Sequence, residues 1–178
     1  MRGTYSCHGF TLVELMITLT IAGIMLSLAA PSFQTFIRNT QVRSAADDLV
    51  SIFNYSRSEA VKRGWPVTVC KSANVETAAP TCSTSAGWKD GWLAFVDADQ
   101  NGTFNGGDTR LKIGRPTTDG IAISGGTSFA DYLTYLPTGT SVGSSGNNSG
   151  ALDLCLAGLK RTISVNTTGR VRIDTGHC

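Results

Sequence analysis

A nearly unbroken apolar run close to the start limits what this chain can become. Between Phe10 and Ala30 the only formal charge is Glu14. About 20 apolar residues in a helix suffice to span a bilayer core, and only a helix, with its backbone groups paired internally, is tolerated there. A carboxylate inside such a segment costs about 2–3 kcal/mol, so Glu14 needs a reason. An ordinary secretory signal, cut after Leu28-Ala29-Ala30, accounts for Arg2 and the small residues but leaves Glu14 unexplained. A plain membrane anchor tolerates Glu14 near the interface and gives it no use. A cut between Gly9 and Phe10 gives it one. The new amino terminus is then a positive charge about one helical turn from Glu14, and the two groups neutralise each other within a subunit or between neighbours.

The helical pattern continues past Pro31. Phe33, Phe36, Ile37, Val42, Ala45, Ala46, Leu49, Ile52, Phe53 and Ala60 recur at spacings near three and four, with Arg38, Arg43, Asp47, Arg57 and Lys62 between them. Pro31 should kink or loosen one turn, and Gly64, behind Lys62 and Arg63, is a helix stop. An amphipathic helix needs a sheet to bury its stripe. Strands are expected over 67–70, 91–96, 109–113, 121–124, 132–136, 151–156, 162–165 and 170–173, with loops at 72–87 and, rich in Gly and Ser, at 138–150. The organisation read from this is a removable leader at 1–9, a transmembrane and polymerisation helix at 10–31, an amphipathic half-helix at 32–64 and a β-rich head at 65–178.

A net charge of +2 predicts no strongly basic nucleic-acid binder from composition, so any such activity has to come from a local patch. Of five cysteines, Cys7 would leave with the leader. The remaining four allow three pairings, of which the local one, Cys70 with Cys82 and Cys155 with Cys178, is the simplest. No C-x-x-C is present to suggest a zinc or thioredoxin-like site.

Three local patterns carry chemistry. Asp97, Asp99, Asn101 and Asp108 match the spacing of a calcium loop with Asp in the last place. Strands rather than helices flank it, and the competing reading is an Asx- and Gly-rich hairpin turn with no cofactor. Gly139-Thr140-Ser141-Val142-Gly143 fits G-x-S-x-G, yet it lies in a Gly/Ser-rich loop and the chain offers a single histidine beyond the leader, His177. The match is read as chance and no catalytic residues are assigned. Residues 160–178 contain Lys160, Arg161, Arg170 and Arg172 against one acid, Asp174. Strand alternation puts Arg170 and Arg172 on one face, an array suited to phosphate or, equally, to a solvated hairpin surface.

The short leader, Gly9, Phe10-Thr11-Leu12-Val13-Glu14 and the apolar helix resemble the class III signal of type IV pilins and type II secretion pseudopilins. The resemblance implies cleavage after Gly9 by a prepilin peptidase, N-methylation of Phe10, and a role for Glu14 in aligning each subunit with the amine of its neighbour. It also implies an α+β pilin-like lollipop, a long N-terminal helix whose second half packs on an antiparallel sheet. Ser58 to Gly64, Gly91-Trp92-Leu93-Ala94-Phe95-Val96-Asp97, Asn101-Gly102 and Asp108-Thr109-Arg110-Leu111 in this order resemble the GspH/FimT branch, whose members sit at filament tips or prime assembly. Gly169-Arg170-Val171-Arg172 is similar to the G-R-x-R motif of FimT proteins that bind DNA in natural transformation. It implies Arg170 and Arg172 as contacts to double-stranded DNA, with Lys160 and Arg161 as helpers. The expectation is therefore a non-enzymatic minor type IV pilin that contributes to assembly and to DNA uptake. The alternatives are a GspH-like pseudopilin of type II secretion and, more remotely, an exported calcium-binding module. In the first two, the protein crosses the bacterial inner membrane once and holds its head in the periplasm, with other pilins or pseudopilins as partners.

Overall fold

Thr11 opens the helix. Its hydroxyl accepts the backbone N–H of Glu14 at 3.2 Å and its carbonyl accepts that of Leu15, which satisfies donors that a helix start leaves orphaned. The helix, α1 (Leu12–Arg63), then runs for 52 residues and continues through Pro31. It stops where Gly64 adopts φ +69° and donates to the Ala60 carbonyl, while Glu59 holds Arg63 at 2.5 Å and lies 3.9 Å from Lys62. The computed structural model describes residues 10–116 and 118–178, and for residues 28–32 the backbone alone. The expected leader, Gly9 included, lies outside these.

The chain divides into two units, Met1–Ile37 and Arg38–Cys178. In the first, Phe10 and the large apolar side chains from Leu12 to Met25 are exposed, as are Phe33, Phe36 and Ile37. Two expectations are corrected here. Among the described residues no helix is long and apolar enough to cross a membrane, so neither a transmembrane helix at 10–31 nor a single-pass inner-membrane location stands. Farther along, the same helix carries Arg38, Arg43 and Asp47.

Among the described residues, all the buried core lies in the second unit. Val42, Ala45, Ala46, Leu49, Ile52, Phe53 and Ala60 are buried at 3.6-residue spacing. Phe33, Phe36 and Ile37, expected in the same stripe, are not, because burial along α1 begins at Val42. Two antiparallel sheets supply the rest of the core. The five-stranded sheet has the order β3 (Thr109–Gly114), β2 (Trp92–Val96), β1 (Val67–Lys71), β5 (Tyr132–Tyr135), β6 (Ser141–Gly143). The four-stranded sheet has the order β4 (Ala122–Ser124), β7 (Gly150–Leu156), β8 (Leu159–Val165), β9 (Val171–His177).

Strand β1 is buried on both faces for a reason. Val67 and Val69 join the cluster built on the helix, with Ala94, Leu133 and Tyr135 beside them, whereas Cys70, Leu93 and Phe95 form a second cluster roofed by Cys82, Phe104 and Tyr132. The Cys70–Cys82 disulfide and Trp88, whose Nε1 donates to the Phe129 carbonyl at 2.8 Å, tie the polar 72–91 segment onto these layers.

The 138–150 stretch, expected to be a flexible loop, contains β6. Its small residues serve close approach. A Cβ on Gly143 would stand 2.1 Å from the Ser128 carbonyl oxygen, and one on Gly150 would stand 2.8 Å from the Phe129 ring. Ser141, the serine of the G-x-S-x-G match, is buried in β6, its hydroxyl shared between the carbonyls of Asn148 and Asn166 at 3.0 and 3.2 Å.

Candidate functional site

The acidic loop after β2 brings Asp97, Asp99 and Asp108 together, with one carboxylate oxygen of each within 4.8 Å of the others. Donors of the loop and of β1 hydrogen-bond to these carboxylates. Buried Asp97 accepts from the Thr68 hydroxyl at 2.6 Å and from the N–H groups of Asn101 and Gly102. Asp99 accepts from the Asn101 and Asn105 amides, and Asp108 from the N–H groups of Ala98 and Asn105. Burial pushes the Asp97 carboxyl above its ordinary value against the pull of the Thr68 and Gly102 hydrogen bonds. The Asn101 side-chain oxygen accepts from Thr103 N–H. In this arrangement the four residues act as turn-forming groups in the loop that joins β2 to β3.

At the start of α1, Phe10 is exposed and Glu14 occupies the third helical position, four residues on. Thr11 with Glu14 is a T-x-x-E capping signature, legible in the sequence yet not used there. It gives the segment a defined helix start within one turn of Phe10.

The basic hairpin is built on β8 and β9. Asn166 organises its turn. Its side-chain oxygen accepts Arg170 N–H at 2.9 Å and the Thr168 hydroxyl at 2.8 Å, and its carbonyl accepts Gly169 N–H. Arg57, on α1, clamps this turn to its neighbour, donating from Nε to the Gly139 carbonyl and from a terminal nitrogen to the Thr168 carbonyl, both at 2.9 Å. Gly169 has φ +76°, and a Cβ there would lie 2.1 Å from the Gly139 carbonyl oxygen. So the glycine of G-R-x-R is needed for a left-handed turn pressed against a second turn. The Cys155–Cys178 disulfide fastens the other end of the hairpin.

The register β8·β9 pairs Ser164 with Arg172, Thr162 with Asp174 and Lys160 with Gly176, while Ile163 pairs with Ile173 and Arg161 with Thr175. Ile163 is buried, so alternation sends Arg161 to the inner face and Lys160, Arg172 and Asp174 to the outer one. There the Arg161 guanidinium donates to Asn39 Oδ1 at 2.5 Å and to the Lys160 carbonyl. Lys160 pairs with Asp153 at 2.9 Å. Burial alone would raise the Asp153 carboxyl, but the Thr162 hydroxyl and Lys160 outweigh it and hold the group below its ordinary value. Arg170 and Arg172 are exposed, and among the described residues no ion pair or side-chain hydrogen bond engages either guanidinium. The hydrogen bond from Asn166 N–H to the Arg170 carbonyl continues the strand register, so the two arginines stand on the outer face, about 7 Å apart at the rise of a strand. The structure therefore separates the four basic residues into two tethered side chains and two free ones. Arg57 and Asn166, which hold the pair in place, were not singled out by sequence. An arginine in a mixed helix face and an asparagine in a turn carry no distinctive local signal.

Comparison with known proteins bears on this geometry. The family profile described as type II transport protein GspH matches residues 45–169, and the prokaryotic N-terminal methylation motif matches residues 5–30. Two Pseudomonas aeruginosa fimbrial proteins are each 39% identical over 56 residues, covering 32% of this chain and 36% of theirs. The chain thus aligns with about a third of the length of these curated relatives. The crystal structure of the type IV minor pilin FimU of Pseudomonas aeruginosa in one crystal form superposes with a TM-score of 0.59 at 19% identity, over 78% of this chain and 92% of that one. A second crystal form gives 0.54 at 20% identity, over 74% and 91%. At such identity the likeness concerns the fold, a helix packed on sheets in the manner of pilins. With a profile match across most of its length, the chain belongs to the GspH family, within the type IV pilin and pseudopilin class.

Proposed function

We propose that this protein is a minor pilin of FimT type, an assembly subunit that also binds double-stranded DNA through Arg170 and Arg172. The observation that carries the DNA reading is the pair of exposed guanidinium groups on the outer face, without protein partners among the described residues, at the end of a hairpin pinned by Arg57, Asn166 and the Cys155–Cys178 disulfide. A rigid mount lets two forked donors meet phosphate oxygens with little further ordering cost. Lys160 and Arg161, already engaged, act as supports of the hairpin more than as contacts. At the other end of the chain, cleavage after Gly9 and methylation of Phe10 by a prepilin peptidase leave Glu14 as the partner of a neighbouring subunit's amine, on a helix start fixed by Thr11. The description of the matching family favours one further reading, a pseudopilin of type II secretion that uses the same head without DNA.

The two are separated by fluorescence anisotropy of labelled double-stranded DNA with residues 38–178, the unit that holds the described core. Wild-type binding should weaken steeply with salt, and Arg170→Ala/Arg172→Ala should abolish it or reduce the log–log salt slope by about 2. No binding at low salt overturns the DNA reading and leaves the secretion pseudopilin.

A further inference from the structure

Among the described residues strand β9 pairs with β8 alone, so its other side is a sheet edge. Which of its backbone groups are free follows from the ladder. Asn166 N–H bonds the Arg170 carbonyl and Cys178 N–H bonds the Gly158 carbonyl, and these residues are direct partners in the β8·β9 register. The mutually bonded pairs of an antiparallel ladder recur every second residue. Arg172, Asp174 and Gly176 therefore direct their N–H and C=O groups toward β8. Val171, Ile173, Thr175 and His177 direct theirs outward.

Sheet edges of this kind are templates for another strand, and folded proteins usually blunt them with shortness, proline, bulges or like charge. Among the described residues the molecule has four such edges. β4 and β6 have three residues each. β3 is longer, but its pairing with β2 shifts register between Ala94 and Phe95. Its cations Arg110 and Lys112 flank Leu111, so a second β3 laid antiparallel about Leu111 would set cation against cation. β9 has seven residues, V-R-I-D-T-G-H, with no proline and no register shift, and from Arg172 onward every residue is exposed.

We infer that the β9 edge is a self-docking surface, on which a second copy of this chain lays its own β9 antiparallel about a twofold axis at Ile173. Arg172 of each copy then faces Asp174 of the other. Only the outward-pointing residues can exchange backbone hydrogen bonds, so the possible registers are few, and among those centred on residues 171–174 charge favours one. Centring the axis on Val171 sets Arg170 against Arg172. An axis passing between facing copies of Arg172 pairs arginine with arginine, and one between facing copies of Asp174 pairs carboxylate with carboxylate. Centring on Ile173 pairs the two outward Ile173 backbones with each other and Val171 with the partner's Thr175. It also forms two Arg172–Asp174 cross-strand pairs on the outer face, in the non-bonded positions where side chains approach most closely. On the inner face Ile173, 38% exposed and next to the core-packed Val171, meets its symmetry mate and extends the apolar layer. The contact is isologous and closes on itself, which yields a dimer.

The association uses Arg172, which the DNA reading also uses, but Asp174 belongs to the association alone, so the two readings fail separately. Sedimentation equilibrium of residues 38–178 should give a concentration-dependent dimer. Hydrogen exchange should slow with concentration at the amides of Val171, Ile173 and Thr175, and stay unchanged at Arg172 and Asp174, which are bonded to β8 in the monomer. Asp174→Arg, which turns two attractive pairs into repulsive ones, should weaken the dimer by about tenfold or more while leaving DNA affinity intact or higher. Arg172→Asp should weaken the dimer equally, and the double exchange Arg172→Asp/Asp174→Arg should restore it. A monomer at every concentration, a dimer indifferent to Asp174→Arg, or a double exchange that fails to restore association overturns the proposal.

Discussion

Replacing Gly169 with alanine tests whether the basic hairpin is held by close contact or merely by chain connectivity. Two costs combine at this position. The backbone sits at φ +76°, where a Cβ costs about 1–2 kcal/mol. The added methyl would also lie 2.1 Å from the Gly139 carbonyl oxygen, 3.1 Å from the Tyr135 ring and 3.2 Å from Arg57 Nε, and overpacking of a tight site costs about 1–3 kcal/mol. Together they give about 2–5 kcal/mol. Gly158 provides the control. Its φ is +84°, but nothing lies within 4 Å of its Cβ position, so Gly158→Ala carries only the backbone cost of about 1–2 kcal/mol. In urea unfolding of residues 38–178, with a slope of about 2 kcal/mol/M, Gly169→Ala should lower the midpoint by about 1–2.5 M and Gly158→Ala by about 0.5–1 M. Equal shifts for the two variants would refute the claim that the turn after β8 is pressed against the 138–140 turn. In that case the fixed presentation of Arg170 loses its physical basis.

The Cys155–Cys178 bond links residues 23 positions apart in the sequence. Cys155→Ser/Cys178→Ser should cost about 3 kcal/mol through restored unfolded-state entropy, read as a lower urea midpoint, and an unchanged midpoint contradicts that account. Asp97 should show an unusual pH dependence. Burial raises its folded-state value above 3.8, so the stability it contributes is fully present below the unfolded value and is lost as pH rises through the folded one. Asp97→Asn does not titrate there. The stability of wild type relative to this variant should therefore fall as pH climbs from about 3 to about 7 in urea titrations, and a difference that grows over that interval contradicts the burial argument.

Much of the architecture is legible in local sequence. The spacing of Val42, Ala45, Ala46, Leu49, Ile52 and Phe53 fixes which face of α1 is buried, because a helix repeats every 3.6 residues whatever packs against it. Valine- and aromatic-rich runs bounded by turn residues mark β1, β2 and β5, since such runs suit pleated, buried surfaces. The Gly9-Phe10 junction with Glu14 points to the family whose profile matches the chain.

What local pattern could not decide were the matters that depend on residues distant along the chain. The uninterrupted run from Phe10 to Ala30 suggested a membrane span, yet among the described residues no helix is long and apolar enough to cross a membrane. The glycines and serines of 138–150 suggested flexibility, yet they allow β6 and Phe129 to approach closely. Lys160 and Arg161 are adjacent in sequence and look like one patch. Pleating and the pairing of β8 with β9 send them to opposite faces, where Asp153 and Asn39 hold them. The sequence by itself determined the periodicities, the assembly signature and the supply of charge. Only the tertiary structure decided which charges remain free, because that depends on strand register and on partners up to 122 positions away along the chain.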